Sequence, residues 1–375
     1  MEILAAISRK GAAVPELAEA TLGELRPDEL RVRLVACGIC HTDLHAHSGF
    51  LSPLPIVLGH EGAGVVEAVG SRVDGFAEGD HVVLSGSSCG HCRNCRQGTP
   101  SYCNEAMQRC FGGKRADGTT AITAAGEPIH SHFFGQSSFA THALVSPRTA
   151  VKVAADLPLD VLAPMGCGVI TGAGTVLETF ALRPGQTLVV FGVGAVGMSA
   201  VMAARLAGAL RIICVDTNKE RLNLALELGA TDIIDATAAP APEALVKAVR
   251  ALEPEGVDFV FNTTSAAPLF DAMVEMLAMR GIGGYVTAPR SEWVAPLARM
   301  LQRGITLRGV LGGDADPQRT IPLLIRYWRE GRFPIDRLIT RYPFEQIDEA
   351  LSDFTAGRVV KPVLLMNKQM ESIHG

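Results

Sequence analysis

The short segments EILAAI (residues 2–7) and ELRVRLVAC (residues 29–37) break into brief apolar and polar runs, with Gly23 and Pro27 between them. That pattern predicts short strands joined by turns. A further strand, VVEAVG, follows the glycine-rich run GHEGAG near residue 60. Residues 104–150 lack a regular period, and ADGTTAI, GEPIHSHFFG and SSFATHALV look like pieces of hairpins separated by turn residues. From residue 151 the texture changes, and a helical period runs across residues 168–181. Next come an apolar strand (TLVVF), a glycine turn, an Ala-rich helix and a second strand (RIICVD). The alternation continues with ERLNLALELG as helix, TDIIDA as strand, EALVKAVRAL as helix and VDFVFNTT as strand. FDAMVEMLAM as helix and GGYVTAP and ITLRGVLG as strands complete it. This is the pattern of a doubly wound α/β domain with about six parallel strands. After Gly313 two helices, PQRTIPLLIRYWREG and EQIDEALSDFTAG, and a final strand, KPVLLM, depart from it. The expected organisation is a mostly-β domain at 1–168, completed by 314–375, around the doubly wound domain at 169–313.

Composition narrows the function classes. The chain of 375 residues is 48% hydrophobic, long enough for about two domains with a large core. A net charge of −5 without basic runs argues against nucleic acid as a partner. No stretch approaches the ~18 uninterrupted apolar residues of a membrane helix. The start, MEILAAISRK, reads as a first strand rather than a signal peptide. Nine cysteines in this context point to metal ligation rather than disulfides, and to a cytoplasmic protein.

The sharpest spacing lies in CGHCRNCRQGTPSYC, where Cys89, Cys92, Cys95 and Cys103 are packed densely enough to close a tetrahedral zinc site. A disulfide framework is the alternative, and an iron–sulfur cluster also takes four cysteines, but no following Cys-Pro appears. His91 is surplus to the four. His130, His132 and His142 have no partner at metal spacing and read as loop or strand histidines. Gly192, Gly194 and Gly197 fit G-x-G-x-x-G between a strand and a helix, and Asp216 ends the next strand about twenty residues on. Glycines there let a pyrophosphate approach the backbone at a helix N-terminus. Asp216 would accept ribose hydroxyls and repel a 2′-phosphate, which favours NAD over NADP. CGICHTDLHAH holds Cys40 and GHEG holds His60 and Glu61, while PMGCG holds Cys167. Two thiolates and an imidazole leave the fourth position on zinc open, the Cys₂His set known from alcohol dehydrogenases. As neighbours in an extended chain, His60 and Glu61 would point opposite ways, leaving Glu61 outside the sphere or entering it only after a local change.

The motifs CGICHTD, GHEGAGVV, the four-cysteine lobe, GCGVITG and GVGAVG occur in the order found in the zinc-dependent medium-chain alcohol dehydrogenases, which the chain resembles over nearly its whole length. It is also similar to the bacterial benzyl and aryl-alcohol dehydrogenases. The resemblance implies a GroES-like catalytic domain joined to a Rossmann domain, with two zinc ions per chain and NAD. It implies that Cys40, His60 and Cys167 hold the catalytic zinc, that Glu61 exchanges as a transient ligand, and that Cys89, Cys92, Cys95 and Cys103 hold the structural zinc. Asp43 would orient the histidine ligand. Thr42 and His45 would relay the alcohol proton, for which an imidazole with a pKa near ~6.5 is suited, while hydride passes to the nicotinamide. Thr171 and Val196 would pack near the nicotinamide, Asp216 and Arg221 near the adenosine ribose, and His41 and Lys361 at phosphate contacts. His41 stands where some relatives carry an arginine.

At the expected pocket wall, Ser85 and Ala288 are small and Phe139 is aromatic, which suggests room for a bulky aromatic, allylic or terpenoid primary alcohol unless neighbouring loops refill the space. Competing readings are a polyol or glutathione-adduct (formaldehyde) dehydrogenase of the same superfamily, and a catalytically silent binding protein. The resemblance implies a homodimer or homotetramer. Cys37 and Cys214 read as buried strand thiols, and Cys110 as a loop thiol that could be reactive.

Overall fold

In the computed structural model, which describes residues 1–238, 241–289 and 291–366, the chain forms two compact units. The first comprises Met1–Cys167, Asp316–Ile325 and residues from 335 to 366; the second comprises Gly168–Ala315 and Arg326–Pro334.

The first unit is built on two sheets. One is antiparallel and includes Glu2–Ser8 paired with Glu16–Leu22. The other runs Ala150–Val153, His81–Leu84, Glu61–Val69, Leu30–Gly38, Lys361–Leu365 and Ile339–Pro343, with His142–Val145 also pairing Leu30–Gly38. Strand Leu30–Gly38 alternates buried and half-buried positions, so one face packs on the core. Its register sets Gly38 opposite both Glu61 and Val363. Three neighbouring strands therefore bring Ile39–Cys40, His60–Glu61 and Lys361, from three distant parts of the sequence, to one end of the sheet.

The second unit holds a six-stranded sheet that is parallel throughout, in the order Asp232–Asp235, Arg211–Asp216, Thr187–Phe191, Val257–Asn262, Leu277–Tyr285, Thr306–Gly309. In sequence rank this is 3-2-1-4-5-6, the order of the Rossmann fold. Every residue of Thr187–Phe191 is buried, as expected for a central strand covered by helices on both faces. The fold class expected from the sequence is thus the observed one. Two local expectations differ. The helix expected at FDAMVEMLAM stops at Met276, and Leu277 already starts the next strand, because β-pairing with Val257 competes for it. The helical period near residue 175 continues as a wider π-type turn, Thr175–Thr179. Among the described residues no single helix is long and apolar enough to cross a membrane.

A buried ion pair fastens the start of strand Leu30–Gly38. Arg115 donates to Glu29 Oε1 at 2.6 Å and to Oε2 at 2.9 Å, and the backbone N–H of Arg26 adds a bond to Oε2. Burial alone would raise the Glu29 pKa, but His132 nearby, the paired Arg115 and the Arg26 N–H bring it down to about 2. A depressed carboxylate contributes stability at pH above its unfolded pKa, and that contribution is lost as pH falls through the folded value. Glu29→Gln is therefore expected to cost about 3 kcal/mol at pH 7 and to flatten the loss of stability between pH ~4.5 and ~2. Urea denaturation of both proteins at pH 7 and pH 3 checks this; equal stabilities at pH 7 would sink it.

Candidate active site and metal centres

Cys40 ends the turn after strand Leu30–Gly38 and caps the helix His41–His47. Asp43, in the first turn of that helix, reaches back so that Oδ2 accepts the Cys40 N–H at 2.9 Å. Its other oxygen accepts the Gly59 N–H at 3.1 Å and the His60 Nδ1–H at 2.9 Å. One carboxylate thus fixes the backbone beside both ligands and the tautomer of His60. Nδ1 being engaged, Nε2 faces inward, and it is buried without a hydrogen-bond partner in the described structure. Gly59 has φ +86°, and a Cβ there would lie 2.4 Å from the Phe139 backbone nitrogen. Only glycine lets the chain turn into His60 at this closeness.

One ligand atom from each of Cys40, His60, Glu61 and Cys167 lies within 4.8 Å of the others. The strand geometry that would send Glu61 away from His60 does not hold, because the Glu61 carboxylate folds into the space left by Gly38; a Cβ on Gly38 would sit 2.1 Å from Glu61 Oε2. Lys361 clamps that carboxylate, donating to Oε1 at 3.0 Å and to Oε2 at 2.8 Å, and gives its third proton to the Ile39 carbonyl at 2.9 Å. Here the sequence expectation is corrected. Lys361 is 2% exposed with all three donors used, so it is a buried partner of Glu61 and not a free phosphate contact. Burial drives the Glu61 pKa up, Lys361 opposes it, and the result is about 7. Glu61 holds Lys361 protonated against its own burial. A hydrogen bond from Cys167 draws the Cys40 thiol well below its ordinary pKa, and the same contact with burial pushes Cys167 well above. A soft pair of thiols, an oriented imidazole with an unpartnered nitrogen and a flanking carboxylate form a donor set that fits zinc.

Cys167 is placed by a close approach. The Ser85 hydroxyl donates to the Gly166 carbonyl at 2.7 Å, and a Cβ on Gly166 would meet the Leu84 carbonyl at 2.0 Å. The Ser85 hydroxyl is thus committed to holding the turn before Cys167. Thr42 Oγ1 lies 3.8 Å from Cys40 Sγ, and His45 is exposed one turn further along the same helix. His41 is exposed and packs its ring against Phe354 at 4.5 Å between centroids.

Phe139, expected at the pocket wall, is buried in the core of the first unit. Phe139 is 1% exposed, packs on Gly59 and borders, with Asp43, Leu44, His47 and Leu58, a cavity of about 430 Å³. The rings on His60 are Phe134, stacked at 4.4 Å, and Phe133, edge-on at 5.5 Å. Gln136 is a second residue the sequence did not single out. Its amide donates to the carbonyls of His60 and Ser85 and accepts from the Gly62 N–H and the Ser138 hydroxyl. No motif marks it, because all these partners are brought together only by folding; the nearest signal was Gly135 in an otherwise irregular run.

Cys89, Cys92, Cys95 and Cys103 bring their sulfurs within 4.8 Å of one another, and none forms a disulfide. Backbone N–H groups point at these sulfurs, from Cys92 to Cys89, and from Cys89 and Glu105 to Cys103, at 3.3–3.4 Å. N–H groups of Cys95 and Asn104 lower the Cys92 pKa to about 6. Such amide cradles favour thiolates, and the lobe fits a closed zinc site. Cys110, expected in a loop, lies buried in the helix Ala106–Phe111, where burial pushes its pKa up to about 11 and makes it unreactive. His130, His132 and His142 lie outside both clusters.

In the second unit Gly192 has φ +82°, and a Cβ there would strike Thr263 Oγ1 at 2.6 Å. A Cβ on Gly197 would lie 2.0 Å from the Gly192 carbonyl, whereas Gly194 faces open space. Asp216 ties this turn to the next strand, accepting the Val193 N–H at 2.7 Å and the Asn218 N–H at 2.9 Å. Arg221 lies in the first turn of the following helix. Thr171 and Val196 are half-buried, and next to Thr171, a Cβ on Gly172 would touch the Val196 carbonyl at 2.0 Å. The open face at Gly194 and the acid at Asp216 fit a dinucleotide. Ala288 is exposed beyond the strand Leu277–Tyr285.

Residues 26–155 match the family model of the alcohol dehydrogenase GroES-like domain, and residues 195–326 that of the zinc-binding dehydrogenases. The chain is similar to geraniol dehydrogenase of Castellaniella defragrans, 46% identical over 342 residues that cover 90% of this chain and 91% of that protein. It superposes on an alcohol dehydrogenase zinc-binding domain protein of Burkholderia ambifaria with a TM-score of 0.94 and 45% identity, covering 98% and 99% of the two chains. Benzyl alcohol dehydrogenase of Acinetobacter calcoaceticus gives a TM-score of 0.93 and 38% identity over 98% of this chain and all of that one.

Asp43→Asn keeps the side-chain volume but sets an NH₂ against one of the three donors that the carboxylate accepts. The affinity of the Cys40–His60–Cys167 set for zinc is expected to fall about 10–100-fold. Competition with a graded series of chelators measures it, and an unchanged affinity would show that Asp43 does not position the ligands.

Proposed function

The chain belongs to the zinc-dependent medium-chain alcohol dehydrogenases, and from that membership we propose that it oxidises a bulky primary alcohol, aromatic, allylic or terpenoid, reversibly to its aldehyde with NAD. The observation that carries the chemistry is the buried convergence of Cys40, His60 and Cys167 with Glu61 at one sheet end. Zinc held by these residues supplies a Lewis acid and the dinucleotide supplies the hydride acceptor. The chain's own part is positional and protonic. Asp43 holds the imidazole, and Thr42, beside Cys40, accepts the alcohol proton. His45, exposed at the end of that helix, delivers it to solvent. Phe134, half-buried on the face of His60, offers an apolar aromatic surface to a flat or unsaturated substrate. The relatives named for geraniol and benzyl alcohol support the same substrate class.

The choice of NAD over NADP is supported by Asp216 at the end of the strand Arg211–Asp216, since a carboxylate there would accept ribose hydroxyls and repel a 2′-phosphate. The four-cysteine lobe supports a second, structural zinc, making two per chain. Thiols gathered into two metal-fitting clusters support a cytoplasmic location. An assembly of two or four copies is supported by exposed apolar side chains on the second unit, among them Val294 at 86%, Leu297 at 71% and Leu301 at 84%.

With NAD, turnover of benzyl alcohol, cinnamyl alcohol and geraniol is expected to exceed that of ethanol, on protein holding about two zinc ions per chain. Spectrophotometry of NADH with metal analysis on one sample tests this. Preference for a polyol or a glutathione adduct would replace the substrate class, and inactivity of the zinc-loaded protein would refute the reaction. Leu301→Glu is expected to reduce the assembly to a smaller species by light scattering; an unchanged mass would place the interface elsewhere.

A further inference from the structure

The four-cysteine lobe has a second donor set at its rim. One ligand atom from each of Cys89, His91 and Glu105 lies within 4.8 Å of the other two. The His91 side chain is 69% exposed and that of Glu105 is 38% exposed, while the four thiols are half-buried or buried. His91 Nδ1 lies 3.0 Å from the Cys89 carbonyl oxygen, and its Nε2 lies 3.4 Å from Glu105 Oε1. The Glu105 backbone N–H donates to Cys103 Sγ, so the residue that carries the outer carboxylate also touches the inner thiol set. Imidazole, thiolate and carboxylate are each competent zinc ligands.

A closed four-thiolate site offers an incoming or leaving ion no open position, so exchange needs donors that engage the metal before the last thiolates bind or after the first ones release. The rim set shares Cys89 with the lobe, and one sulfur can therefore stay on the ion throughout the transfer. Two features keep the rim occupancy short. An imidazole and a carboxylate hold zinc more weakly than two further thiolates. Arg109 also claims Glu105, donating from Nε to Oε2 at 2.8 Å with Nη2 2.8 Å from the same oxygen.

We propose that Cys89, His91 and Glu105 form a transfer site through which zinc enters and leaves the four-cysteine lobe. The proposal rests on the reading that the lobe holds zinc. The site acts on the path and not on the end state. His91→Ala and Glu105→Gln should each slow zinc release several-fold, slow re-uptake by the same factor, and leave the affinity of the lobe unchanged.

The test follows zinc release from the purified holoenzyme to an excess of a chromogenic chelator, with loss of turnover reporting the other zinc separately. Re-uptake by the stripped, reduced protein and equilibrium competition complete the set. Equal slowing in both directions at constant affinity is the expected result. Unchanged rates overturn the proposal, as does a loss of affinity that accounts for the change in rate, since that would make His91 and Glu105 part of the final site. A stable third zinc removed by the substitutions also overturns it. Release of only one zinc per chain, in step with activity, would instead overturn the reading of the lobe as a zinc site.

Discussion

The structure of the first unit depends on burying several ionisable side chains together. Asp43, His60, Glu61 and Lys361 are each at most 2% exposed, and the thiols of Cys40 and Cys167 lie among them. Isolated charges in such a place cost several kcal/mol each. Here each has an assigned partner. Asp43 takes two backbone N–H groups and the His60 ring, Lys361 covers both oxygens of Glu61, and the Cys167 thiol hydrogen-bonds Cys40. Among the described residues the inward-facing Nε2 of His60, close to the two thiols, has no hydrogen-bond partner. A cation is the missing complement of that arrangement. The protein is thus pre-organised for its metal by the need to satisfy everything around it.

The backbone near this site is strained. His132, Phe134 and Ser137 all have positive φ within six residues, at 63°, 53° and 58°. Such conformations cost of order 1–3 kcal/mol each for residues other than glycine and persist only where the surroundings over-determine them. Gln136 supplies much of that determination, since all its amide bonds go to groups around His60 and Ser85. The strain turns Phe134 flat onto the imidazole. A relaxed strand through the same residues would alternate its side chains and could not place Phe133 and Phe134 on the same ring.

In the second unit one carboxylate serves two ends. Asp216 bridges the Val193 and Asn218 N–H groups, and so holds the glycine turn against the end of the neighbouring strand. The turn itself is packed from beneath by Thr263, which donates to the carbonyls of Phe191 and Gly192. This is the point where the strand order reverses, with Thr187–Phe191 flanked by Arg211–Asp216 on one side and Val257–Asn262 on the other. Crevices at such points are where open α/β sheets bind ligands.

The sequence alone determined what local period and spacing can carry. The alternation of strand and helix from residue 187 specified a parallel sheet, and the G-x-G-x-x-G turn with its acid marked the nucleotide end of it. The spacing of Cys89, Cys92, Cys95 and Cys103 marked the four-cysteine lobe, because metal geometry demands donors close together, whereas Cys40, His60 and Cys167 were grouped only by the resemblance to a known family. Tertiary structure decided whatever depended on strands meeting. Lys361 is three hundred residues from Glu61, and its fate, a buried ion pair instead of an exposed phosphate contact, follows from the pairing of Lys361–Leu365 with Leu30–Gly38. The inward turn of Glu61 depended on the gap at Gly38, and the placing of Phe134 on His60 depended on left-handed residues that no side-chain pattern announces. Local sequence fixes which groups are present and roughly what each segment becomes. Which of them touch is settled by sheet register and close packing, through contacts between residues far apart in the chain.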